Sequence, residues 1–132
     1  RLQKRKNNAP EGFEIAAHSW DHPYFSELSL EEQLENTKKS LNFMKEKGFL
    51  NEAFAFPFTD FGVKKVFFDN LFKENQDLAF TFGTAGMKID SFSKNLHRIA
   101  MENGFSAKEE INFENNYFQI KKIFNKNKIF RK

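Results

Sequence analysis

Residues 13–23, FEIAAHSWDHP, decide how this chain is read. The first five are apolar enough for a short buried strand, and they run straight into two histidines four positions apart, His18 and His22. Imidazoles at that spacing fall on the same side of a helical turn, close enough to grip one cation, and Pro23 then stops the turn. The alternative is a pair of surface histidines in a strand-to-helix loop.

The downstream elements set the fold class. Ser29 opens a helix with a capping box to Glu32. Leu30, Leu34, Leu41 and Met44 keep to one face of it, and Gly48 is a natural C-terminal stop. Residues 53–58 (AFAFPF) read as a buried strand ended by Pro57 and the turn TDFG. A second helix fits residues 63–74, with Val63, Val66, Phe67 and Leu71 on one side. Residues 78–82 (LAFTF) form a third strand, followed by the loop GTAG, and residues 98–101 a fourth. A last helix starts at Ser106, capped by Glu109; its stripe Phe113, Tyr117, Ile120 and Phe124 is expected to pack into the core. Strands alternating with helices over short connections predict an α/β fold with parallel strands and crossover helices.

In such folds the functional site gathers at the C-terminal ends of the strands. That rule places His18 to His22, Thr59, Asp60, Gly83 to Gly86, Glu102 and Asn103 on one rim. His97 precedes its expected strand and is expected at the opposite end.

The 132 residues are enough for one domain with a modest core, and 39% hydrophobic content is ordinary for a globular chain. No apolar run approaches the ~18 residues of a membrane-spanning helix. The absence of cysteine excludes disulfides, thiolate zinc sites and cysteine nucleophiles, and leaves the compartment open. The net charge of +3 hides a split: residues 1–6 and 121–132 hold ten of the 21 basic side chains and none of the 18 acids, so the body is near −7. An acidic body argues against a nucleic-acid-binding face. The basic ends read as solvated, frayed termini, with contact to phosphate or an anionic membrane as the alternative. The 19 phenylalanines accompany abundant Asn and Lys, a bias that AT-rich codons explain without a ligand-stacking surface.

Two neutral imidazoles do not complete a hydrolytic zinc site, which normally takes three protein ligands and keeps a place for water. Asp21, between the histidines, is expected to point away from them. Asp60 on the same rim is the best internal carboxylate, and one upstream of Arg1 is equally acceptable. Trp20 either stacks on a sugar ring or packs beneath the loop. The GTAG loop, with no Lys or GxGxxG pattern, reads as a flexible turn.

These residues resemble a family. HSWDHP is similar to the second motif of the NodB-type polysaccharide deacetylases (carbohydrate esterase family 4-like), H-[ST]-x-x-H-P, through His18, Ser19, His22 and Pro23. FAFPF resembles the third motif, R-x-P-[FY], at Pro57 and Phe58, with Ala55 where the arginine stands. FGTAG and RIAMEN look like the tail of bacterial members with this altered motif. The resemblance covers about residues 11–118. It implies a distorted β/α barrel and a divalent metal, zinc by expectation, held by His18 and His22. It implies that Ser19 supports the loop, that Pro57 and Phe58 line one wall of the substrate groove, and that the backbone near Phe58 helps hold an oxyanion; Trp20 and Asp60, from their own places in the chain, are expected to serve the same groove. The family's third ligand and general base are adjacent aspartates in a T-F-D-D motif, absent here. His97 is the one candidate for the late general-acid histidine, against a reading as a satisfied histidine at a strand start.

The resemblance thus divides the chain into a basic remnant (1–10), a partial deacetylase domain lacking its first strand or strands (11–120) and a basic tail (121–132), either a fragment of a longer reading frame or a degenerate copy. The expected activity is metal-dependent removal of acetyl groups from polysaccharide sugars, reduced or lost in this chain. The alternatives are a relic that binds glycan or metal weakly and a basic-tailed docking module. The expected partner is an acetylated sugar, with self-association through an exposed strand edge.

Overall fold

The computed structural model describes residues 8–102 and 104–132. The basic stretch 1–6 and the rim candidate Asn103 lie outside the described residues. Along the chain come a 3-10 turn (Phe25–Glu27), α1 (Leu30–Glu46), β1 (Ala53–Ala55), α2 (Lys65–Glu74), β2 (Phe80–Gly83), β3 (Ile89–Asp90), β4 (Asn95–His97), α3 (Ala107–Ile123) and β5 (Lys128–Ile129). The fold is mixed α/β with parallel strands in two small sheets, ordered β1-β2-β4 and β3-β5.

Local chemistry explains the helix boundaries. Ser29 Oγ accepts from the Glu32 amide and Glu32 Oε2 accepts from the Ser29 amide, so two of the first-turn N–H groups are satisfied. Ser106 and Glu109 repeat the device at α3. Just past α1, Gly48 takes φ +77°, the left-handed conformation that glycine adopts most easily.

The register divides the sheet into two faces. Phe54, Thr81 and Asn95 are aligned on one and buried; Ala55, Phe82 and Leu96 are aligned on the other. On the buried face, Phe54 and Phe56 join Phe25, Leu41, Val63, Phe67, Phe68, Leu71 and Leu78 in one core. Phe56 meets Phe25 and Phe54 edge-on, each with ring centroids 5.1 Å apart, the arrangement aromatic quadrupoles favour. On the opposite face Phe80 and Leu96 are exposed, and Ala53, Ala55 and Phe82 half-buried. Among the described residues no barrel is closed.

Four expectations are corrected here. The strand over residues 13–17 contracts to a bridge in which the Ala17 amide donates to Ala53 O and Ala17 O accepts from the Ala55 amide. Phe13 and Ile15 before it are exposed. The fourth strand is Asn95–His97, not residues 98–101. Apolar content drew the reading toward Ile99 and Met101, whereas buried polar pairing, Thr81 Oγ1 donating to Asn95 Oδ1 at 2.8 Å, sets the observed register. The α3 stripe does not pack inward: Phe113, Tyr117, Ile120 and Phe124 are 62%, 44%, 53% and 67% exposed. Periodicity shows that a helix has an apolar face, not that the chain covers it. Residues 121–132 are no frayed tail, because they finish α3, form β5 and carry Arg131 into the interior. No helix among the described residues is long and apolar enough to cross a membrane.

Candidate metal centre

His18 follows the Ala17 bridge at the C-terminal end of the sheet. Its Nε2 lies 3.1 Å from Nε2 of His22, and its Nδ1 lies 2.9 Å from Ala55 O. A carbonyl only accepts, so His18 Nδ1 carries the proton and donates it to Ala55. That leaves the Nε2 lone pair directed at His22. Fixing one ring nitrogen on a backbone carbonyl so that the other can ligate is a recurrent feature of metal-binding histidines.

The helical turn expected for this pair is not observed; residues 18–22 are a loop. Ser19 (φ 66°) and His22 (φ 58°) are both left-handed, and this double reversal folds the second imidazole back onto the first. Ser19 Oγ accepts the His22 amide at 3.0 Å. Asn36 on α1 holds the loop from outside, accepting the Trp20 amide through Oδ1 and donating through Nδ2 to Asp21, which points away from the histidines as expected. Phe58, also left-handed (φ 49°), sets its ring 4.4 Å from His22, edge to face, and stacks on Tyr24 at 4.3 Å. Three of the four described non-glycine residues with positive φ thus meet at one site, where such strain is characteristically found.

Phe58 is half exposed beside His22, where a groove wall would stand, but Pro57 is fully buried and lines no groove. Trp20 packs its edge on Phe43 (5.8 Å), lies under Lys39 Nζ (4.3 Å) and remains half exposed. It borders an open cleft of about 230 Å³ with Asp21, Pro23, Glu35 and Asn36.

A second cluster lies at the ends of β2 and β4. Asp60, Asp90 and His97 each present a ligand atom within 4.8 Å of the others, a group that can hold a metal ion. Their side chains are almost wholly buried. The Ala85 amide donates to His97 Nδ1 (3.2 Å), so Nε2 carries the proton and donates to Asp90 Oδ2 (3.0 Å). Asn95 Nδ2 donates to Asp60 Oδ2 and Asp90 Oδ2, 3.0 Å each. Arg131 Nη2 bridges the same two oxygens. Burial pushes the Asp90 carboxyl up, but the hydrogen bonds of His97, Arg131, Asn95 and the Phe92 amide hold it well below the usual carboxylate range. Burial likewise opposes ionisation of Asp60, and the Thr84 amide, Arg131, His97 and Asn95 outweigh it.

This cluster corrects two readings. His97 ends its strand instead of preceding it, so it is on the rim, with both ring nitrogens engaged and its side chain 1% exposed. It is a satisfied buried histidine, closed off from an external leaving group. Asp60 is on the rim as expected, but its carboxylate is engaged by Arg131, Asn95 and the Thr84 amide and is not free to serve His18 and His22 as third ligand. Asp90, Asn95 and Arg131 escaped the sequence reading. The available signal was Asn95 and His97 at i and i+2, two polar residues on one strand face.

No family model, no curated protein and no solved structure matches the chain. Fold and site together define an α/β chain of parallel strands with a histidine pair and a carboxylate–histidine–arginine cluster at the strands' C-terminal ends.

Proposed function

We propose that this chain is part of a metal-dependent carbohydrate deacetylase and binds a divalent metal through His18 and His22. The observation that carries the reading is the 3.1 Å approach of the two Nε2 atoms, with His18 Nδ1 engaged by Ala55. That separation suits two imidazoles at ~2.0–2.1 Å from one tetrahedral zinc ion. The strained loop and the Phe58 ring beside His22 support it. A bound divalent metal would polarise an acetyl carbonyl and lower the pKa of water toward ~7. His18 and His22 orient it, Ser19 holds the loop closed, and Phe58 shields one side from solvent. On the same reading the sheet is a wedge of a β/α barrel: α1 and α2 cover its outer face, and Ala55, Phe82 and Leu96 face the interior.

The 132 residues offer no aspartate pair of the family's T-F-D-D type, and Asp60 is committed elsewhere. The expected result is therefore metal binding with little or no deacetylation by the chain alone. Cobalt(II) titration followed by visible absorption tests the first part: His18→Ala/His22→Ala should weaken binding at least tenfold. Equal affinity would mean that the two imidazoles merely share a proton, and the reading fails. Robust metal-dependent acetate release from N-acetylated or O-acetylated oligosaccharides would overturn the second part.

A further inference from the structure

Arg131 enters the interior from a segment 41 and 71 positions beyond its two carboxylate partners. Its Nε donates to Asp90 Oδ1 and Oδ2 at 2.9 Å, its Nη2 to Asp90 Oδ2 at 2.6 Å and to Asp60 Oδ2, and its Nη1 to the carbonyls of Asp60 (3.2 Å) and Val63 (2.8 Å). The guanidinium lies 4.5 Å from the centroid of Phe68, and the side chain is 4% exposed. The surrounding oxygens form a receptor for a cation.

Charge points to which cation fits best. Asp60 Oδ2 and Asp90 Oδ2 both accept from Arg131 and Asn95, and the Ala85 amide fixes His97 in a neutral tautomer. One guanidinium therefore balances only one of two buried negative charges, and Asn95 contributes a dipole, not a charge. A divalent cation between Asp60 Oδ2 and Asp90 Oδ2 balances both, and oxygen-rich sites with one imidazole suit such ions. His97 completes the set through Nε2, 3.0 Å from Asp90 Oδ2, with its proton moved to Nδ1 as the 3.2 Å Ala85 contact gives way. The plug can also leave. β5 pairs through two residues only, and Arg131 borders a cavity of about 570 Å³ into which it can withdraw by giving up its contact with Phe68.

We infer that Asp60, Asp90 and His97 form a divalent-cation site that the chain stoppers with its own Arg131, guanidinium and metal competing for the same two carboxylate oxygens. The site is separate from the histidine pair, and its test runs in the full chain carrying His18→Ala/His22→Ala, so either reading can fail alone. Manganese(II) chloride is the probe, followed by electron paramagnetic resonance. Arg131→Ala should raise affinity at least tenfold, toward one ion per chain, Arg131→Lys should be intermediate, and adding Asp90→Asn to Arg131→Ala should abolish the gain. Unchanged affinity in Arg131→Ala, or binding that survives Asp90→Asn, overturns the inference. Should Arg131→Ala unfold in chelator, manganese(II) should restore a cooperative melt that sodium chloride of equal ionic strength does not; failure to restore it counts equally against competition.

Discussion

Nε2 of His18 and Nε2 of His22 face each other across 3.1 Å because two left-handed residues, Ser19 and His22 itself, reverse the intervening loop. Ser19 matters twice, through its backbone and through the hydroxyl that accepts the His22 amide. Ser19→Ala should lower metal affinity about tenfold, the usual cost of losing a supporting contact around a metal ligand. It should cost only about 1 kcal/mol of stability. Cobalt(II) titration beside a urea melt separates the two effects.

The carboxylate cluster makes stability pH-dependent in a defined direction. Asp60 and Asp90 ionise more readily folded than unfolded, where an aspartate titrates near ~3.9. Their contribution is fully present above that value and is lost as pH falls through the lower folded values. Urea midpoints should be flat near neutrality and drop below pH ~4. Asp90→Asn should be less stable at pH 7 and should lose less on acidification.

Removing Arg131 in the presence of a chelator leaves two buried carboxylates with no cation. Breaking a buried ion pair from one side costs about 3–5 kcal/mol, and Arg131→Ala should fall in that range. Arg131→Lys should recover part of the loss, since an ammonium supplies charge without the planar fork. Equilibrium unfolding in urea checks both.

Gly83 ends β2 directly against Asp60, and a Cβ placed there would overlap that carboxylate. Gly83→Ala should destabilise by about 1–3 kcal/mol, as overpacking of a close-packed site does. The same variant should reduce the protection of the Thr84 amide, which donates to Asp60 Oδ1, in hydrogen exchange.

The uncovered apolar surface is broader than the strand edge expected from sequence. Phe80 and Leu96 on the sheet and Phe113, Ile120 and Phe124 on or beside α3 are all exposed. Concentration-dependent association is expected in sedimentation velocity, and Phe80→Lys/Leu96→Lys should reduce it while leaving far-ultraviolet circular dichroism unchanged.

What could be read from sequence divides by range. Both capping boxes and the Gly48 stop were legible because each is set within a few residues. Parallel strands followed from the alternation of elements, and the closeness of His18 and His22 from their spacing, although the loop geometry that brings them together did not. The Asp60–Asp90–Arg131 contact was illegible: three charged residues far apart in sequence look like solvated surface until the fold brings them together. The α3 stripe failed for the converse reason, since an apolar face carries no label saying what meets it.

The 71-residue separation of Asp60 and Arg131 also bears on the order in which the chain folds. The phenylalanine core runs from Ala17 to Leu78 and contains no residue of the segment that carries Arg131, so the arginine is expected to reach its carboxylates after that core has formed. Interactions made after the rate-limiting step retard unfolding and leave the folding rate nearly unchanged. The Arg131 contact therefore acts as a kinetic clasp: its loss shortens the lifetime of the native state and does little to the time needed to reach it.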